Sequence, residues 1–505
     1  MSLSRGGRGR ISYSNLGVNQ LGAVYEALLS YRGFFAEEDL YEVKRAGDKV
    51  DELDVGYFIP LRDLDQYTED ERVRNDDGTL RVHPKGEFIY RLAGREREKS
   101  ASYYTPEVLT RCLVKYALKE LLEDKSADDI LELTICEPAM GSAAFLNEAV
   151  SQLAEAYLER KQKETGVSIP HEQRQQELQK VKMLIADRNV YGIDLNPTAV
   201  ELAEVSLWLN TIYQGGYVPW FRTQIVNGNS LIGARRQCYT LSQAQAEGPG
   251  AWYNSAPERV APGMNRSLRR QQVYHFLLGD PGMCAYTDKV IKGLEPEKIA
   301  TIKKWNKNFT KPLTDSEADD VLRLCNQIDA LWDAHTQLRA EIKDKTTDPL
   351  SVWGQAQDEE HQPTTIRDKD RIYDSLYLSK GGSNASPYAR LKAVMDYWCA
   401  LWFWPIDKAD ELPSRMEFLF DVQMLLGLDV VSTRGDKKNA DQISVFDDFD
   451  LDPYARELSD RYGKYGAVNL DQLRAGFPRL RIANEVAEQQ KFFHWELEFA
   501  DVFES

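Results

Sequence analysis

The chain has 505 residues, of which 42% are hydrophobic and 28% charged, the balance of a soluble globular protein with room for two to four domains. Eighty acidic against 63 basic residues give a net charge of −17, so the surface as a whole is not a nucleic-acid binder, although a local basic channel around Arg222, Arg235 and Arg236 is compatible with it. No apolar run reaches the roughly 18 residues of a membrane span, and the basic opening Met1–Arg10 lacks the apolar stretch of a signal peptide; the expectation is a cytoplasmic protein with no membrane partner.

The six cysteines, at positions 112, 136, 238, 284, 325 and 399, show neither CxxC pairs nor histidines at zinc spacing. They are expected to be free buried thiols, with no metal site. Leu21, Val24, Leu28 and Tyr31 recur at helical spacing and predict an amphipathic helix from Ile11 to about Phe35. Stretches 41–60 and 80–92 predict short strands around an Asp-rich loop, a small α+β segment. A charged loop then runs into Ser102-Tyr103-Tyr104-Thr105-Pro106. Thr105 as N-cap and Pro106 at the first helical position open a helix to about Glu123. Two tyrosines beside that N-terminus are suited to wall a ligand pocket.

The stretch 130–146 organises the rest of the chain. Ile130, Leu131, Leu133, Thr134 and Ile135 predict a buried strand ending at Glu137, which Pro138 biases away from helical backbone. Ala139, Gly141, Ser142, Ala143 and Ala144 make a turn nearly without side-chain bulk before a helix through Phe145, Leu146 and Val150. Strand, small-residue turn and helix N-terminus bring backbone close to a nucleotide-like ligand. The GxGxxG of dinucleotide enzymes is missing, so pyrophosphate is not the natural inference. A carboxylate at a strand tip suits a cation, and S-adenosylmethionine carries both an ammonium and a sulfonium.

After a charged helix at 171–186, Val190–Ile193 predicts a second strand ending in Asp194-Leu195-Asn196-Pro197, with an apolar helix behind it. An acid at that tip is well placed for a ribose diol. A third strand, Thr223–Val226, ends in Asn227-Gly228-Asn229-Ser230-Leu231, where an asparagine can meet the edge of an adenine. Three such tips in succession carry more weight than any one.

Tyr104-Thr105-Pro106, Glu137-Pro138-Ala139-Met140-Gly141-Ser142, Asp194-Leu195-Asn196-Pro197 and Gly228-Asn229-Ser230-Leu231 stand in the order seen in amino-methylating DNA methyltransferases. The chain resembles the large adenine-N6-specific enzymes of type IIG and phage-defence restriction-modification systems. That resemblance implies a Rossmann-like class I methyltransferase sheet, S-adenosylmethionine as cofactor and adenine in DNA as substrate. It implies cofactor contacts at Tyr104, Thr105, Pro106, Glu137, Pro138, Ala139, Gly141, Asp194, Leu195 and Asn229. The family often has glycine where Ala143 stands, which implies a slightly tighter turn here.

The family's chemistry also needs Asn (or Asp)-Pro-Pro-aromatic after a fourth strand, to hold the amino group of a flipped-out adenine. This chain has no such tetrapeptide. Asp452-Pro453-Tyr454 lacks the second proline and follows an acidic stretch. Phe492–Phe503 resembles what the large relatives carry just before that strand. The chain is therefore expected to be a piece of a longer enzyme without catalytic residues of its own. Its implied partners are DNA, through the parent enzyme, and the missing catalytic and target-recognition parts. The alternatives are a non-catalytic cofactor-binding or assembly subunit, and an RNA or protein methyltransferase. His494, beside Trp495 and two phenylalanines, reads as a packed core histidine.

The expected organisation is an N-terminal helix plus α+β segment (1–93), an S-adenosylmethionine-binding α/β core (94–236), a mostly helical insertion (237–490) and a lead-in to the missing strand (491–505). Within the insertion, 240–270 reads as a flexible connection. Residues 288–345 carry a stripe suited to an antiparallel helix pair, and 391–406 is a strongly apolar helix that belongs in a core. Helices are also expected at 413–427, around 469–475 and at 480–491.

Overall fold

The computed structural model describes residues 2–4, 7–9, 31–48, 56–75, 77–92, 105–264, 269–356, 363–377, 384–428 and 468–503. Tyr104 and Asp452-Pro453-Tyr454 lie outside them, as do residues 11–30 of the expected first helix. The last five residues of that helix instead form strand β1 (Tyr31–Phe35). The Phe88 ring lies over Gly33, where a Cβ would stand 2.5 Å from it. Phe35 stacks obliquely on Phe88 at 5.2 Å. Cross-strand aromatic pairing there overrides helical spacing. The partner is β5 (Phe88–Leu92), antiparallel to β1; β2 (Leu40–Val43) takes β3 (Tyr57–Pro60) and β4 (Val82–His83) on its two sides.

Helix α1 (Glu107–Leu121) buries Thr110, Val114 and Leu118, one face at four-residue spacing. The expected Thr105 cap is not made. Pro106 takes the extended backbone of the cap position, without any side-chain cap hydrogen bond. The predicted first parallel strand is also shorter than expected, because Ile130 and Leu131 end a helix, α2 (Ala127–Leu131). Ser126 and Asp129 cap that helix reciprocally, which fixes a turn over residues that read as β-favouring.

Strand β6 (Ile135–Glu137) leads through the turn into α3 (Ala144–Thr165), then α4 (His171–Arg188), β7 (Val190–Asp194), α5 (Pro197–Thr211) and β8 (Ile225–Asn227). The order in the sheet is β8–β7–β6, all parallel. The first four residues of β7 are buried, as a central strand covered on both faces requires. Val190 and Ile225 share a core with Leu146, Val150, Leu153, Ile185 and Leu207 of the helices. Tyr191 and Ile193 point to the other face, where Phe493 and Phe499 cover them.

The region beyond the sheet is more ordered than its composition suggests. The expected flexible stretch, 240–270, connects the strands of a three-stranded sheet and supplies one of them: β9 (Gln237–Thr240) lies in the middle, between β10 (Glu258–Arg259) and β11 (Gln272–Tyr274). Buried Trp252 donates to the Gly279 carbonyl at 2.8 Å and anchors it. Within 288–345, α6 (Pro296–Phe309) is followed by a 32-residue helix, α7 (Asp315–Thr346), capped by Thr314 and Glu317. The Leu324, Ile328, Leu331 and Leu338 stripe of α7 packs against α8 (Pro387–Ala400) and α9 (Arg415–Leu426). Tyr397 and Trp404 are buried, so the apolar 391–406 stretch is core. Helices α10 (Leu470–Gly476), α11 (Pro478–Gln490), α12 (Trp495–Glu498) and α13 (Ala500–Phe503) close the described chain.

The arginines expected to form a basic channel are each engaged elsewhere. Arg222 pairs with Asp370 and Asp374, Arg235 with Glu496, and buried Arg236 lies over the Trp332 ring. Four cysteines are buried and free, but Cys112 and Cys136 are exposed, on α1 and on the thinly covered β6. Among the described residues no helix is long and apolar enough to cross a membrane.

Candidate functional site

Parallel pairing brings the C-terminal ends of three strands together. Glu137 lies opposite Gly192, and Asp194 opposite Asn227. Such a row of parallel strand ends is where open α/β sheets bind ligands. The loop after β6 is held down by two bonds, from Met140 N to the Ile193 carbonyl (3.0 Å) and from Gly141 N to Asp194 Oδ2 (2.9 Å). Asp194 Oδ1 accepts from Asn196 N at 2.8 Å. Each carboxylate oxygen thus spends one lone pair on the fold and keeps another for a hydroxyl.

The turn needs unusual backbone. Gly141 has φ 55°, and nothing lies within 4 Å of where its Cβ would stand, so this strand–helix corner presents bare backbone to open space. Ala143 has φ 64° and serves as N-cap of α3, a left-handed conformation costly for alanine. Gly192 on β7 is required by packing, because a Cβ there would meet Met140 Sδ at 2.3 Å.

Glu137 is the chemically distinctive group. Its Oε2 is buried with no hydrogen-bond partner, as is the Ser142 hydroxyl. Burial pushes its carboxyl up to about 8, partly offset by the Leu146 backbone and reinforced by the nearby Asp194 charge. An unsatisfied acid beside a second carboxylate is an arrangement that a cationic ligand would relieve.

Thr105 and Pro106 come to the same end of the domain. Arg111 of α1 sits 3.7 Å from Glu148 and its carbonyl accepts from Gln152, whereas Leu122 O accepts from Arg160. Helices α1 and α3 therefore run parallel, with their N-termini at the same end. Pro138, Ala139 and Leu195 are exposed around the strand tips. Asn229 sits beyond β8, where its Oδ1 accepts from Leu231 N at 3.2 Å and its N–H donates to the Lys491 carbonyl at 2.6 Å. Its Nδ2 has no partner among the described residues, which leaves two donors for a ligand.

Two participants escape sequence reasoning. Asn227, the true tip of β8, donates to the carbonyls of Asp194 (2.8 Å) and Leu195 (3.0 Å). Lys491, more than 260 positions away, donates to Asn227 Oδ1 at 2.9 Å and Leu195 O at 3.2 Å. Asn227 is visible in the sequence only as part of a loop; nothing local to residue 491 signals its position. His494 is fully buried, its Nδ1 accepting from Ala234 N while Nε2 meets Asp396, which makes it a structural pin.

In this α/β segment the successive tips of a parallel sheet thus offer a buried acid, a half-satisfied carboxylate and an amide donor. Residues 87–234 match the family model described as N-6 DNA Methylase, from the last N-terminal strand to just beyond the third tip. That match supports a methyltransferase of adenine N6 in DNA for this part of the chain. None of the curated proteins or solved structures compared with the chain matches it.

Proposed function

We propose that the chain is the S-adenosylmethionine-binding part of a site-specific DNA methyltransferase acting on adenine N6, built on a Rossmann-like class I sheet. What supports this reading is that Glu137 and Asp194 end adjacent parallel strands, that Asn229 follows the end of the third, and that Glu137 Oε2 is left unsatisfied. A ligand bearing an ammonium, a ribose diol and an adenine fits that set of groups in order along the sheet. Glu137 would take the ammonium, the free lone pairs of Asp194 the ribose hydroxyls, and the Asn229 amide donors the adenine edge. Thr105, Pro106, Pro138, Ala139, Gly141 and Leu195 would wall the site, with Tyr104 ahead of them. When bound, the cofactor supplies an activated methyl group on a sulfonium centre.

Holding the target base is assigned to another stretch of polypeptide, since no Asn-Pro-Pro-aromatic sequence occurs in this chain. Strand β6 pairs with β7 alone among the described residues, and its Cys136 is exposed. A further parallel strand beside β6 would bring a base-holding loop next to Glu137. Restriction-modification or phage defence in the cytoplasm is the setting that this reading implies.

Calorimetric titration with S-adenosylmethionine tests the cofactor assignment, and absence of binding would overturn it. A methyl-transfer assay on duplex DNA comes next, with the chain alone and then with a polypeptide carrying an Asn-Pro-Pro-Tyr segment. Transfer only in the mixture supports the division of labour. Binding without transfer in either case favours a cofactor-binding subunit, and transfer to RNA or protein in place of DNA redirects the substrate.

A further inference from the structure

The five residues Lys491–Trp495 arrive at the strand tips from the far end of the helical region. Asn229 N donates to Lys491 O (2.6 Å), Phe493 N to Ile232 O (2.9 Å), Ala234 N to His494 Nδ1 (3.0 Å) and Trp495 Nε1 to Ser230 O (3.0 Å). The fit is close. A Cβ on Gly233 would lie 1.9 Å from the Phe493 carbonyl oxygen, and one on Gly228 would lie 2.7 Å from the Phe493 ring.

Lys491 ends α11 with φ 54° and ψ 49°. As a helix C-cap this position would be served better by glycine, because a side chain pays for the left-handed conformation. What glycine lacks is the ammonium. Its donation to Asn227 Oδ1 fixes which way the Asn227 amide faces, and so directs both amide hydrogens onto the carbonyls of Asp194 and Leu195. A second Lys491 hydrogen goes to that same Leu195 carbonyl. One ammonium thereby orders the backbone that carries the Asp194 carboxylate.

We propose that Lys491 is a positioning residue for the nucleoside half of the bound cofactor, through which the helical region shapes the ribose and adenine subsite. This rests on the cofactor reading above. Lys491 touches no reacting atom, and its influence runs through Asn227 and the β7 tip.

The test is Lys491→Gly in the full chain, which removes the ammonium while relaxing the backbone. Binding of S-adenosylhomocysteine and of 5′-methylthioadenosine, which lacks the amino-acid half, is measured by calorimetry beside the melting temperature. The expected result is an unchanged or higher melting temperature with affinity for both ligands lowered by the same factor, about 3- to 10-fold, the worth of an ordinary hydrogen bond, because the bonds lost order the tip and do not touch the ligand. Added methylamine should restore part of the loss, which a merely structural cap would not show. Affinities within twofold of wild type overturn the proposal. So does a loss confined to S-adenosylhomocysteine, or a loss with a lowered melting temperature and no amine rescue. If the wild-type chain binds neither ligand, the cofactor reading itself has failed and Lys491 falls with it.

Discussion

Replacing Glu137 by glutamine should stabilise the free protein and weaken its hold on S-adenosylmethionine. The carboxyl is held near 8, against an ordinary 4.5, chiefly by burial. Because the folded-state value lies above the unfolded one, the stability linked to this group is complete below about pH 4.5 and is lost as pH rises towards 8. The cost grows by about 1.36 kcal/mol per pH unit above 4.5, reaching a ceiling of roughly 3 kcal/mol at pH 7. Glutamine keeps the shape and carries no charge at any pH. The Glu137→Gln protein should therefore melt like wild type near pH 4.5, and at pH 7.5 be more stable by at least about 1 kcal/mol, or about 2–4 °C for a cooperative unit of this size. Wild-type affinity for S-adenosylmethionine should climb about tenfold per pH unit from 6 towards 8 as the acid ionises. Above about pH 8 it should fall again as the ligand's own amine loses its proton. The variant should lack the rising limb and bind at least about tenfold more weakly at pH 7.5. Melting curves across pH and calorimetric titrations read both effects. A variant equally stable at both pH values, or one that binds as wild type does, would refute the reasoning.

Asp194→Ala should weaken cofactor binding by about 1.5–3 kcal/mol through lost ribose hydrogen bonds to a charged group; unchanged affinity by calorimetry removes the ribose assignment. Ala143→Gly should raise the melting temperature slightly, since relief of a left-handed alanine, about 1–2 kcal/mol, exceeds the roughly 0.5–1 kcal/mol entropic cost of glycine. A lowered melting temperature would mean that the buried methyl contributes more than the backbone strain costs. Gly233→Ala should displace Phe492–Trp495, because its Cβ would overlap the Phe493 carbonyl oxygen. Limited proteolysis should then cut near residues 491–503 sooner than in wild type, and equal resistance would contradict the packing described.

The strand ends that make the candidate site are more legible in the sequence than the fold around them. Glu137, Asp194 and the Asn227–Asn229 loop announce themselves because each comes after an apolar run and precedes small or helix-starting residues, and that pattern is local. Expectation and structure part where local preference competes with a specific contact. Ile130 and Leu131 favour strand, yet a Ser126–Asp129 capping box holds them helical. Tyr31–Phe35 continues a helical stripe, yet aromatic pairing with β5 makes it a strand. Stretch 240–270 has the composition of a linker, but Trp252 and the strand order around β9 give it a core. Lys491 has no local signal, because its role is set by residues 195 and 227.

The covering of Tyr191 and Ile193 by Phe493 and Phe499 has a kinetic side. The Tyr191 hydroxyl donates to Asp501 at 2.7 Å across 310 positions of sequence, and Arg339 joins both neighbourhoods by donating to Asp501 and to Thr223 O. On a ribosome, the parallel strands would emerge long before the segment that shields them. Through that interval one side of the nascent sheet stays wet and adhesive, and its closure must await a loop closure of great length, which makes such pairings slow. Completion of the candidate site should thus be among the last events of folding, and the half-covered sheet the species most in need of a chaperone.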